Sequence, residues 1–521
     1  MTVAWRWLVQ CSMMIRGHGL SQTRRESPAF PEKALIGLAL VFAALSGAAL
    51  AIFGAVAAVV VCVLAFGAAL LNAPRVMVWV IIAGGLGVVG MVELYLPQFQ
   101  AIRWGVAVLS ICVGVISTVA WLAEKQRRLK AFKGSLALAA MLLLFACAAL
   151  VAAATGAAPL GIAVVGLKNY FQMWGLMLAL AWLSYKPVDA TRFITFLGLL
   201  AVMQLPFVLH QFLVLVPQRS GVADGERGIV AVDIVAGTFG GDMAGGGRTS
   251  NSAVLAPIAI TLFLAQWKQG FRQPSSALWL TAFAFSPILF NEAKLALVLI
   301  PVALFLLFRD MLVKRPLAWL MGAGGLALCM AFVVVVYSFL PGAESQKSKS
   351  VADFITSSIE YNVGNSGYGF SILNRSTVYR FWWKEHEKTG DVLHILLGHG
   401  PGFSNTTAID RGDIAQASRY AGYEIGLTGL SSLLWDTGLI GAGSFAMMLF
   451  MAYRLGGHLR QKWAGTPHEP AVITAQIGIV FIAISLLHNN FVTFDIGFQT
   501  MLAMLIGYLF AMSRAPVKDG S

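Results

Sequence analysis

Apolar runs of roughly 20 residues recur from Leu35 to Met512, each long enough to cross about 30 Å of hydrocarbon as a helix. That single pattern excludes most folds. With 58% hydrophobic and 12% charged residues, the chain has too little polar surface for a water-soluble globule, where about a quarter of residues are charged. A membrane β-barrel would show short alternating segments instead of continuous runs. The expectation is an all-α polytopic membrane protein with about 14 transmembrane helices (12–14) and a large external loop carrying short helices.

Residues 1–33 carry Arg6, Arg16, Arg24, Arg25 and Lys33 and precede an apolar region too long for a signal-peptide core. They read as a cytoplasmic extension that stays attached, a mis-assigned start being the alternative. Spans are expected at 34–52, 54–72, 76–95, 104–122, 135–154, 161–184, 193–216, 252–267, 276–290, 294–308, 317–340, 427–453, 471–488 and 495–513. They group as N-terminal helices (34–154), a core (155–340) and C-terminal helices (427–513), followed by a short tail (514–521).

The net charge of +13 would suggest nucleic acid in a soluble protein. Here most basic residues sit in links between spans, which is a topology signal. Arg75, Lys125–Lys133, Lys186, Arg192, Lys268, Arg272, Arg309, Lys314, Arg315, Arg454, Arg460, Lys462, Arg514 and Lys518 all fall on the side of the N-terminus. Both termini are therefore expected in the cytoplasm. Cys11, Cys62, Cys112, Cys147 and Cys329 lie in the N-terminal segment or in apolar runs, so no external disulfide framework and no Cys/His metal spacing is implied.

Two long segments are then external, 217–251 and 341–426. The first is glycine-rich from Gly237 to Gly247 and flanked by Arg219, Arg227 and Arg248. It reads either as a backbone cradle for phosphate or as a re-entrant turn. The second carries Arg375, Arg380, Trp382, Trp383 and a turn at Gly398, Gly400, Pro401 and Gly402. External cations run against the usual bias and fit an anionic ligand, although long loops also cross the membrane whatever their charge. The Trp and Tyr residues beside Arg fit stacking on sugars or an interfacial aromatic belt. Lys168 lies within an expected span, where a charge is costly. Snorkelling and ligand contact both account for it. Glu292 and Lys294 share a short turn and fit a simple ion pair equally well. His488-Asn489-Asn490 reads as a helix cap.

Several of these residues resemble the O-antigen ligase and O-antigen polymerase superfamily of bacterial envelope enzymes, over roughly residues 160–510. The resemblance rests on Asn374-Arg375 followed by Trp382-Trp383, on Gly398 to Gly402, and on the span opening Leu430 to Gly441. Thr238-Phe239-Gly240, Asn251 and Glu292-Ala293-Lys294 add to it. What the resemblance implies is glycosyl transfer at the periplasmic face of the inner membrane, without metal, nucleotide or other cofactor. The implied partners are an undecaprenyl-diphosphate-linked oligosaccharide, an acceptor glycan, membrane lipid and a chain-length regulator, and no nucleic acid. By the same resemblance Arg375 is the loop arginine and Arg227 or Arg248 the upstream one; Arg380 joins Arg375 and Arg227 as a catalytic candidate, and Glu424 and His399 are the candidate bases nearest in sequence. Arg219, Arg248, Lys294, Lys168, Trp382 and Trp383 are the substrate-binding candidates.

The family often places His-Asn before the span equivalent to 430–441, where this chain has Leu427-Thr428. That departure favours a polysaccharide polymerase over a ligase to lipid A-core. A flippase is the alternative of another class. It would call for internal repeats and midplane charges, whereas the charges here cluster at one face.

Overall fold

The structure is a computed structural model that describes residues 73–123, 135–156, 159–219, 231–243, 246–339, 351–364, 373–405, 420 and 423–516. All of them belong to one compact unit, Leu70–Ser521. Sixteen helices carry the fold: α1 Pro74–Tyr95 and α2 Ile102–Ala123, α3 Leu136–Thr155, α4 Leu160–Phe171, α5 Trp174–Trp182, α6 Pro187–Arg219, α7 Thr249–Lys268, α8 Pro274–Phe285, α9 Ala296–Lys314 and α10 Pro316–Phe339, then α11 Val351–Val363, α12 Thr377–Thr389, α13 Val392–Leu397, α14 Gly429–Lys462, α15 Glu469–Ser485 and α16 Ile496–Arg514.

Among the described residues, nine helices are long and apolar enough to cross a membrane, and no strand is present. Every backbone donor and acceptor in lipid must be met within the segment, so helices are the expected answer. Of the fourteen expected spans, 34–52 and 54–72 lie outside the described residues. Nine of the other twelve coincide with these long helices. The span expected at 161–184 is instead broken into α4 and α5 around Gln172, whose side-chain amide donates to the Phe494 carbonyl (2.8 Å). Apolar content alone reads across such a break, because one polar residue barely lowers the average. The spans expected at 276–290 and 471–488 fall on shorter apolar helices.

Burial orders the bundle. α16 is 94% buried over its most apolar window and forms its centre, against α5, α6 and α15, whereas α10 is only 6% buried. A helix hydrophobic all round and buried is core, and one equally hydrophobic but uncovered needs lipid. The glycine-rich segment does not loop into solvent. Val232, Ile234, Val235 and Ala236 are fully buried, and Thr238 donates to the Leu86 carbonyl (2.8 Å) while its backbone amide is held by Gln204 (2.8 Å). Residues 231–241 are thus largely enclosed by protein, the condition under which irregular backbone is tolerated at membrane depth.

The two ends of the bundle differ in chemistry. At one end Arg75 donates to Ser184, Arg514 to Ala181, and Lys462 to the carbonyls of Met512, Ser513 and Ala515, while Lys268 pairs with Asp310. The helices that begin or end there reach the opposite end at Glu93, Arg248, Thr428, His488 and Asp495, where α11, α12 and α13 also lie.

Candidate functional site

A buried carboxylate inside α14 organises the Gly398–Gly402 turn. Asp436 is 2% exposed, and its oxygens accept from the amides of Gly402 (3.0 Å) and Ser404 (2.7 Å) and from the Tyr170 hydroxyl (3.0 Å). The backbone joins in: His399 N donates to Trp435 O (2.8 Å) and Gly400 N to Asp436 O (3.0 Å). Carbonyls inside a regular helix are normally occupied by their own amides. Here Gly438, at φ 63, breaks α14 and makes room. A Cβ on Gly438 would sit 2.4 Å from the Leu396 carbonyl, and one on Gly398, at φ 78, would sit 2.5 Å from Asp436 C and Thr437 N. Only glycine fits a left-handed backbone in that space. The Gly398–Gly402 turn and the Leu430–Gly441 segment are therefore one interlocked unit.

Above that unit, α12 turns Val378, Trp382 and His386 inward, residues four apart on one helical face. The Tyr379 hydroxyl meets Thr428 Oγ1 (2.8 Å), and Thr428 is itself the N-cap of α14 in a capping box with Ser431. Asn374 Oδ1 accepts from the amides of Ser376 (2.9 Å) and Thr377 (2.8 Å), fixing the entry to α12.

Arg375 sits at that entry. Its Nε donates to the His488 carbonyl (2.6 Å) and its Nη1 to Asn362 Oδ1 (2.7 Å), which fixes the guanidinium plane. The turn bearing His488 is tied to the start of α14 by Gly429 N on Asn489 O (2.8 Å) and by Asn490 Nδ2 on Gly426 O (2.7 Å). Burial, with Arg375 and then Lys294 nearby, holds the His488 imidazole well below the ordinary histidine range. Lys294 pairs with Glu292 at 3.4 Å, and Glu292 has a left-handed backbone, φ 47. Strain at a non-glycine residue persists only where the surroundings enforce it. Arg375 is thus held on the turn that bears His488, with Lys294 a further charge near that imidazole.

The other candidates scatter. Arg248 is locked between Glu93 (2.5 Å) and Asp495 (3.2 Å), and Asp495 also accepts from Asn251 (2.9 Å). Lys168 lies over the Trp104 ring at 4.3 Å. Arg219 is fully buried, with Asp233 and Asp242 supplying the nearby negative charge. Trp382 is buried in the cap and offers no face for stacking, while Arg380 and Trp383 are exposed. Glu424 is exposed, with φ 49. Arg227 lies outside the described residues.

His399 is packed in an aromatic box. Its ring stacks on His394 (4.3 Å) and Phe403 (4.5 Å) and lies against Trp435 (5.6 Å). The hydrogen bonds fix its partner's tautomer: His386 Nδ1 must donate to the Trp382 carbonyl (2.8 Å), so His386 Nε2 accepts from His399 Nε2–H (3.1 Å). Burial, then His394 and His386, push His399 down to about 3. His394 is paired with Asp391. Even so, no group of three or more His, Cys, Asp or Glu among the described residues could hold a metal ion.

The helices and their burial define an all-α membrane protein with a helical cap at one end. No protein-family model and no curated protein sequence matches the chain. His488 is the residue that sequence reading undervalued. Its signal was a His-Asn-Asn triplet closing an apolar run on the same face as Arg375.

Proposed function

We propose that this protein is a glycosyl-transfer enzyme of the bacterial inner membrane, with both termini cytoplasmic, that polymerises undecaprenyl-diphosphate-linked glycan units at the periplasmic face. The observation supporting it is the Arg375 guanidinium fixed between the His488 carbonyl and Asn362, with Lys294 a further charge near His488. Attack of a sugar hydroxyl on an anomeric carbon sends negative charge onto the departing diphosphate. Fixed cations at a dehydrated edge stabilise that charge more than water does, and the planar arginine fork suits phosphate oxygens.

His488 is the best-placed base. With its proton affinity lowered first by burial and then by Arg375 and Lys294, it is a weak one until an anion arrives. A diphosphate against Arg375 and Lys294 offsets their charge and raises the proton affinity of the imidazole, so base strength follows occupancy of the site. His399 and Glu424 do not share this position. Where the family carries His-Asn this chain has Leu427-Thr428, the second of which serves as a helix cap, which favours polymerase over transfer to lipid A-core.

The test is conversion of a lipid-linked oligosaccharide by the reconstituted protein. Arg375→Ala should slow turnover about 100- to 1,000-fold, the usual loss on removing a transition-state charge partner, and Arg375→Lys should restore only part. Turnover of Arg375→Ala at the wild-type rate would overturn the assignment. Product that remains on the lipid carrier as a ladder identifies a polymerase.

A further inference from the structure

We propose that α11 is an in-plane helix of the outer membrane surface, seated on phospholipid through an apolar stripe and fastened at its far end to Arg375. Ile355, Ile359 and Val363 are 44%, 60% and 69% exposed, large values for branched apolar side chains recurring every four residues. At about 100° per residue they form one stripe, and Ala352 falls within it. The exposed acids Asp353 and Glu360 lie roughly 100° around the helix from the centre of that stripe. Asn362 and Val351, on the opposite flank of the stripe, are the partly covered positions. The helix therefore has a protein flank, an apolar flank and an acidic flank in sequence around its axis, the arrangement of a helix lying at an interface.

What covers the apolar flank follows from the neighbouring helix. α11 packs against α10, whose Leu328, Phe332, Val335 and Phe339 are exposed along its length. α10 is a candidate span that the protein leaves almost uncovered, so its surface is met by lipid chains. α11 packs on this helix, so the bilayer that meets α10 lies within reach of the stripe. A solvated stripe of this kind would cost about 25 cal/mol for each Å² left in water, and the bilayer that covers α10 removes that cost.

The attachment gives the surface contact a destination. Asn362 Oδ1 accepts from Arg375 Nη1 (2.7 Å), and the Gly364 carbonyl accepts from Asn374 Nδ2 (2.6 Å). The depth of α11 thus sets where the Arg375 guanidinium stands relative to phosphate groups at the membrane surface. None of this depends on which reaction the site performs.

Spin labels decide it. In the full chain, with the native cysteines replaced, Ile355→Cys, Ile359→Cys, Val363→Cys, Asp353→Cys and Glu360→Cys are labelled singly and reconstituted into vesicles of phosphatidylethanolamine and phosphatidylglycerol. The expected result is an oxygen-to-nickel-chelate collision ratio several-fold higher at the three stripe positions than at the two acidic ones, with the difference lost in detergent-free lipid nanodiscs too narrow to cover α11. Equal, water-like ratios at all five positions would overturn the proposal. So would stripe labels that neither reagent reaches, which would mean a second protein surface covers the helix.

Discussion

Replacing Asp436 tests whether one carboxylate clamps the external loop to the bundle. Asp436→Ala removes the acceptor for three donors, two backbone amides and the Tyr170 hydroxyl, at a site 2% exposed. Each buried donor left unmet costs about 1–3 kcal/mol. Water entering the small void will satisfy some of them, so a net loss of about 3–6 kcal/mol is expected. Local opening of the 398–405 turn should therefore become at least ~100-fold more frequent, at about 1.4 kcal/mol per factor of ten.

Hydrogen exchange on the reconstituted protein reads this out, provided the right amides are watched. Gly402 and Ser404 lose their acceptor directly and will exchange faster under any account. His399 and Gly400 are informative, because their acceptors are the backbone carbonyls of Trp435 and Asp436, which the substitution leaves in place. Loss of protection at all four shows the turn opening as a unit. Unchanged protection at His399 and Gly400 would refute the clamp.

Two further outcomes follow from the same region. His386 and His399 have folded-state pKa values below the free value, chiefly through burial, so their contribution is complete above pH ~6.5 and is lost as pH falls toward the folded values. Acidification toward pH ~4 should loosen the aromatic box by a few kcal/mol at most, seen as a change in Trp435 emission that His399→Phe abolishes. An emission flat across that range would contradict it. Gly438→Ala forces a Cβ to 2.4 Å from the Leu396 carbonyl at a residue of φ 63 and ψ −168, a conformation that costs a non-glycine residue about 1–3 kcal/mol. Its thermal midpoint should fall well below that of Gly443→Ala, where nothing lies within 4 Å; equal midpoints would show that the kink is not required.

Sequence periodicity located the long helices well, because lipid imposes both their length and their apolarity. It failed where tertiary contacts intervene. Nothing local shows that Gln172 breaks a span for the sake of a carbonyl 322 residues later. The glycine run near Gly237 read either as a phosphate cradle or as a re-entrant turn, because glycine content reports backbone freedom and is silent on what surrounds the backbone. Arg248 and Arg375 carried the same signal in the sequence, cations on the same face. Only structure separates the one held by two carboxylates from the one bound to the His488 carbonyl. Trp382 and Trp383 adjoin in sequence yet differ completely, since helical phase turns one into the cap and the other out.

Among the described residues, the most enclosed of the long helices follows in the chain the helices that surround it. Tyr170 enters the bilayer 266 residues ahead of the carboxylate it binds, and α5, α6 and α7 are synthesised long before α16 arrives to fill the space between them. During biogenesis the partial bundle therefore holds an open lipid-facing slot where its centre belongs, and a nascent chain that stops short of Ile496 has every wall of the structure without the post they lean on.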